Sequence, residues 1–95
     1  MEKSKLSVEA ENDLIRIHRY GVHRYGENQA DQYFYRFFNC FERISTNPYL
    51  YATVGDIRKG YRRCVCGVDN VYYRIAGDGI EIMAIVGRQD IGSKF

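Results

Sequence analysis

Apolar residues along the chain follow two different rhythms, helical in the first half and alternating in the second. Ala10, Leu14, Ile17 and Gly21 recur at spacings of four, three and four, which predicts one helix reaching to about Tyr25. Ser7 is well suited to accept from the first free N–H groups of that helix, Glu9 and Glu11 sit in the first turn where the helix dipole favours negative charge, and Gly26 supplies a stop. A second and stronger stripe, Ala30, Tyr33, Phe34, Phe37, Phe38, Phe41 and Ile44, continues at i, i+3, i+4 and i+7 until Asn47-Pro48, where the residue before proline is forced out of helical geometry. An aromatic stripe at that period is core packing, not a cofactor box.

The remaining segments complete the pattern. Lys5-Leu6-Ser7 reads as a short first strand, and Pro48 to Gly60, without period and carrying Tyr49, Tyr51, Gly55 and Asp56, reads as a loop. Tyr61–Cys66, Asn70–Ile75 and Ile80–Val86 alternate as strands, and the short links Gly67-Val68-Asp69 and Ala76-Gly77-Asp78-Gly79 permit only antiparallel hairpins. The expected fold is therefore α+β: a short N-terminal strand, a two-helix hairpin, then a three-stranded antiparallel meander.

The faces of those strands carry a further expectation. Strict alternation turns Val71, Tyr73, Ile75, Ile80, Ile82, Ala84 and Val86 toward the helices, and leaves Tyr72, Met83 and Ile85 on a second face that no helix remains to cover. Such a face is either a partner surface or a scatter of ordinary exposed side chains. In the first strand of the meander either Tyr61, Arg63 and Val65 or Arg62, Cys64 and Cys66 can face inward, and the cysteine set is favoured because a free cysteine behaves as a small buried hydrophobe.

Composition narrows the class without naming a function. Ninety-five residues, 45% hydrophobic and 27% charged, suit one globular domain spanning residues 1–95. No apolar run approaches the roughly 20 residues of a membrane span, and the N-terminus lacks an apolar signal core, so a cytoplasmic protein is expected. The cysteines Cys40, Cys64 and Cys66 read as free thiols, and His18 and His23, five apart with no acidic or thiol cluster nearby in sequence, do not form a metal site; no cofactor is expected. A net charge of +2 is too small for wholesale nucleic-acid binding. Its distribution matters more: Arg58, Lys59, Arg62, Arg63 and Arg74 are offset over their stretch only by Asp69.

The order strand, helix with Ala10…Asp13-Leu14…Ile17, second helix ending at Asn47-Pro48, then Ile57-Arg58-Lys59-Gly60-Tyr61-Arg62-Arg63, Val71-Tyr72-Tyr73-Arg74-Ile75 and Ile85-Val86-Gly87-Arg88-Gln89-Asp90 resembles the ParE toxins of the RelE/ParE superfamily. That resemblance covers nearly the whole chain. It implies a toxin of a type II toxin–antitoxin system, a ParD-like antitoxin as partner, and DNA gyrase as target. Arg62 matches the arginine that recurs after the loop glycine in this family, and Arg88 the one in the tail. The RelE branch, ribosome-dependent endoribonucleases, shares the fold, so the chemistry has to be argued from the site.

Cutting RNA at a 2′-hydroxyl needs a base, an acid and cations for the phosphorane charge. Cations are present at Arg58, Lys59, Arg62, Arg63 and Arg88, but the tail from Gly87 to Phe95 holds neither Tyr nor His, and Val86 stands where many ParE-like chains have histidine. Asp90 is the only titratable acid of that tail, and Tyr61 is the nearest phenol. The expectation is inhibition by binding through Arg58, Lys59, Tyr61, Arg62, Arg63, Arg88 and Asp90, with the antitoxin held by Tyr72, Met83 and Ile85 and contacts around Leu14 and Arg16 also open. A RelE-like messenger-RNA nuclease and an inactive homologue that only binds its antitoxin are the alternatives. An arginine at a strand end also has a structural reading, as the partner of Asp56 or Asp90.

Overall fold

The computed structural model describes residues 4–87. Its elements are β1 (Ser4–Leu6), α1 (Val8–Tyr25), α2 (Glu27–Thr46), β2 (Tyr61–Cys66), β3 (Asp69–Ala76) and β4 (Gly79–Gly87), the strands forming one sheet in the order β1-β4-β3-β2. β2, β3 and β4 are the expected antiparallel meander, and β1 joins it in parallel beside β4. No helix among the described residues is long and apolar enough to cross a membrane.

Ser7 starts α1 as expected and also ties it to the sheet. Its Oγ accepts from the Ala10 N–H at 3.0 Å and donates to the Met83 carbonyl at 3.0 Å, while its own N–H reaches the Ile82 carbonyl at 2.9 Å. Gly26, at φ +94°, ends α1 and begins α2 in a single residue, a backbone angle that glycine alone adopts without strain. The helices close tightly there: a Cβ at Gly21 would lie 3.2 Å from that of Ala30.

One side of the sheet meets the hairpin. Ala10 and Leu14 of α1 and Phe37, Cys40, Phe41 and Ile44 of α2 are buried against Cys64, Cys66, Val71, Tyr73, Ile80, Ile82 and Ile85. The expected inward cysteine face is present. Within the aromatic stripe, Phe37 and Phe41 are buried, Tyr33 and Phe34 are partly so, and Phe38 is exposed, its ring held edge-on by Phe34 and Phe41.

The other side departs from expectation in two linked ways. First, it is covered: Val54, Tyr72, Ala84 and Val86 form a second buried cluster, flanked by Ile57 and Tyr61. The loop supplies the cover by first following the free edge of β2, where the Arg63 N–H reaches the Ala52 carbonyl at 3.0 Å and the Val54 N–H the Tyr61 carbonyl at 2.9 Å. Second, the β3–β4 register jumps, pairing Tyr73 with Ile82 but Tyr72 with Ala84, so Met83 is a bulge residue opposite no partner. An extra residue inverts every later side chain. Ile85 therefore turns to the helices, and Ala84 and Val86 turn to Tyr72, the reverse of the unbroken alternation.

Candidate functional site

The basic stretch is a turn anchored at both ends. Ile57 and Arg58 donate their N–H groups to the Val54 carbonyl at 2.9 and 3.1 Å, and Tyr61 donates to the Arg58 carbonyl at 3.0 Å across Gly60, whose φ of +84° lets the chain double back. Ile57 is pressed toward the second cluster, which leaves Arg58 and Lys59 exposed at the tip. Strand alternation then divides the rest: Tyr61 and Arg63 share the face of the second cluster, and Arg62 points to the opposite one.

Arg62 is occupied within the protein. Its guanidinium donates to the Tyr51 carbonyl at 2.7 Å and to that of Tyr49 at 3.4 Å, and lies 5.3 Å from the centroid of the Tyr49 ring. The structural partners are thus loop carbonyls, not Asp56. Tyr73 closes the same loop from beneath by donating to the Pro48 carbonyl at 2.6 Å, and burial pushes its phenol up to about 12, so it is protonated at neutral pH. The expected tail residues Arg88 and Asp90 lie outside the described residues. The described part of the site offers cations on a fixed turn, and His18 is spent elsewhere, 2.8 Å from Asp31 between the helices.

The residues expected to hold an antitoxin are not a surface. Tyr72 and Ile85 are fully buried and Leu14 is 5% exposed, because the loop covers one face and the bulge rotates Ile85 into the core. Met83 alone of the four is partly exposed, with its carbonyl taken by Ser7.

The open surface lies instead where the hairpin splays from the sheet, in a groove of about 550 Å³ between Arg16 and Tyr20 of α1, Tyr33 and Arg36 of α2, and Asp69 and Gly87 at the ends of β3 and β4. Tyr33 fixes its floor, its hydroxyl 2.7 Å from the Asp69 carboxylate and accepting from the Val68 N–H at 3.3 Å. Burial and the Asp69 charge both hold that phenol protonated.

Sequence reasoning gave Asp13 no role in the fold. Its carboxylate is buried, accepts from the Ile85 N–H at 2.9 Å and lies 3.5 Å from Arg16, which in turn donates to the Ile85 carbonyl at 3.3 Å. β1 pairs with β4 only as far as Ile82, so α1 side chains satisfy the strand edge beyond it. The available signal was a carboxylate standing three residues after Ala10, inside the apolar stripe.

Comparison with known proteins agrees with this architecture. The family model described as "ParE toxin of type II toxin-antitoxin system, parDE" matches residues 5–92. Toxin ParE1 of Caulobacter vibrioides is 34% identical over 86 residues, covering 90% of this chain and 88% of that protein. Toxin ParE1 of Mycobacterium tuberculosis is 30% identical over 82 residues, covering 85% and 84%. Among solved structures, a chain of the chromosomal ParDE TA system from P. aeruginosa superposes with a TM-score of 0.80 over 92% of this chain and 96% of that one, at 19% identity, a likeness of fold.

Proposed function

The chain belongs to the ParE toxin family of type II toxin–antitoxin systems, and from that premise we propose that it inhibits DNA gyrase by binding and is neutralised by a ParD-like antitoxin. The observation that carries the binding reading is the turn at Arg58 and Lys59, exposed cations on a backbone fixed by four hydrogen bonds among Val54, Ile57, Arg58 and Tyr61. Preorganised charge of this kind speeds and orients association with an acidic partner surface. Arg63, on the same strand face as Tyr61, adds a further partly exposed cation to the stretch. Arg62 supports the stretch indirectly by holding the loop behind it.

No histidine is on the turn, whose own acid and phenol are Asp56 and Tyr61. Tyr73 is protonated and hydrogen-bonded, and both histidines stand on α1. Purified protein titrated into gyrase supercoiling and cleavage assays tests the reading. Loss of supercoiling that Arg58→Ala with Lys59→Ala relieves supports it, and gyrase untouched at every concentration while a known poison works overturns it. Codon-linked cuts in messages on translating ribosomes would instead favour the nuclease branch.

For the antitoxin we infer a seat in the groove between Arg16, Tyr20, Tyr33 and Arg36, which brings two guanidiniums and two phenol rings to one opening. An acidic segment suits that combination of aromatic surface and positive charge. Tyr20→Ser with Arg36→Glu should raise the dissociation constant for the antitoxin by roughly tenfold or more, the loss expected of an aromatic–arginine pair. An unchanged isotherm would exclude this seat.

A further inference from the structure

The thiols of the core have no part in the reading above, yet they are not spread as ordinary buried cysteines. All of the chain's cysteines, Cys40, Cys64 and Cys66, converge where α2 crosses β2. The sulfurs of Cys40 and Cys64 are 3.3 Å apart, in direct contact across 24 residues of sequence. Cys66 is on the same face of β2, its sulfur 4.0 Å from the Arg36 carbonyl.

Cys64 differs from a typical inert core thiol. The Cys40 thiol hydrogen-bonds it, and Arg43 and Tyr51 act on it from outside, so it is held down at about 7, whereas Cys40 is held well above its ordinary value. Thiolate character is what makes a cysteine react with oxidants. A surface opening lined by Asn39, Arg43, Asn47 and Tyr51 shares Arg43 and Tyr51 with the surroundings of Cys64, while Cys40 and Cys64 themselves are buried, so an oxidant enters by local opening at that wall.

We propose that Cys40 and Cys64 are a redox modification site, at which hydrogen peroxide converts the contacting thiols into an intrachain disulfide joining α2 to β2. The Cys64 thiolate attacks one peroxide oxygen, the O–O bond breaks, and hydroxide leaves and is protonated to water, giving a sulfenic acid. The Cys40 sulfur then displaces the sulfenic oxygen, which departs as water with the Cys40 proton. Two thiols lose two electrons, the peroxide is reduced to two waters, and Cys66 remains a thiol.

The test is treatment of the purified native chain with hydrogen peroxide, followed by intact-mass measurement and non-reducing peptide mapping. The proposal expects loss of two hydrogen masses, a fall in free thiols from three to one, and a linked peptide pair containing Cys40 and Cys64. In Cys40→Ala no intrachain crosslink should form, and Cys66→Ala should leave the crosslink intact. Cys40 and Cys64 that stay reduced in the native chain, or a crosslink that maps to Cys66 or joins two chains, would overturn it. The wild-type map needs no substitution and stands whether or not each variant folds.

Discussion

Replacing Asp13 by alanine tests the clamp that α1 places on β4. In the folded chain one carboxylate oxygen accepts from the Ile85 N–H at 2.9 Å in a buried setting, and the other faces Arg16 at 3.5 Å. A hydrogen bond to a charged group contributes about 1.5–3 kcal/mol, and the variant also leaves the Ile85 N–H buried without this acceptor. We expect a loss of about 2–3 kcal/mol, which for a domain of this size lowers the melting midpoint by roughly 10–20 °C. Arg16→Ala should cost under about 1 kcal/mol, because its side chain is 58% exposed and its ion pair is solvent-screened. Asp13→Asn, which keeps an acceptor oxygen without the charge, should fall between the two. Thermal and urea unfolding followed by circular dichroism give the ranking, and amide exchange at Ile85 gives the site. An Asp13→Ala protein within about 0.5 kcal/mol of the parent would refute the clamp, and so would an Arg16→Ala protein equally damaged.

Other substitutions probe other parts of the fold. Phe37→Ala, at a fully buried position touching Tyr33 and Phe41, should cost about 3–5 kcal/mol in urea unfolding. Because burial raises the Tyr73 phenol from 10.0 to about 12, its stabilising contribution is complete below pH 10 and is lost as pH rises through 12. Tyr73→Phe should flatten that alkaline fall in a stability–pH series. Arg62→Ala should expose the loop from Pro48 to Gly60 to proteolysis at a cost of about 1–2 kcal/mol, whereas Arg58→Ala should leave the melting midpoint within about 2 °C.

Much of this fold was legible because its signals are local. Ser7, Gly26 and Pro48 punctuate the helices, and the alternating segments became strands to within a residue or two of the expected ends. The bulge was harder. Met83-Ala84-Ile85-Val86 is an unbroken apolar run, which already contradicts simple alternation, but no glycine or proline marks where the extra residue sits. Tertiary pairing decides it, since Asp13 and Ser7 both grip β4 at that point. The cover over the second face was equally hidden, because Val54 and Ile57 are isolated apolar residues within a segment whose glycines and Asp56 read as loop. The basic stretch was found from charge alone; which of its members face outward required the register of β2.

The path of the chain between Pro48 and Gly60 limits how the basic turn can be imitated. Its shape is borrowed from the β2 edge, from the Tyr72 cluster beneath it and from the guanidinium of Arg62 behind it. A synthetic peptide copying residues 57–63 would carry every charge, Arg62 included, but would lack Val54, the Tyr72 cluster and the loop carbonyls that Arg62 holds, and would spend most of its time in other conformations. Competitors of the intact protein would have to reproduce the scaffold as well as the sequence, and a graft onto another protein would need an antiparallel strand edge to lean on.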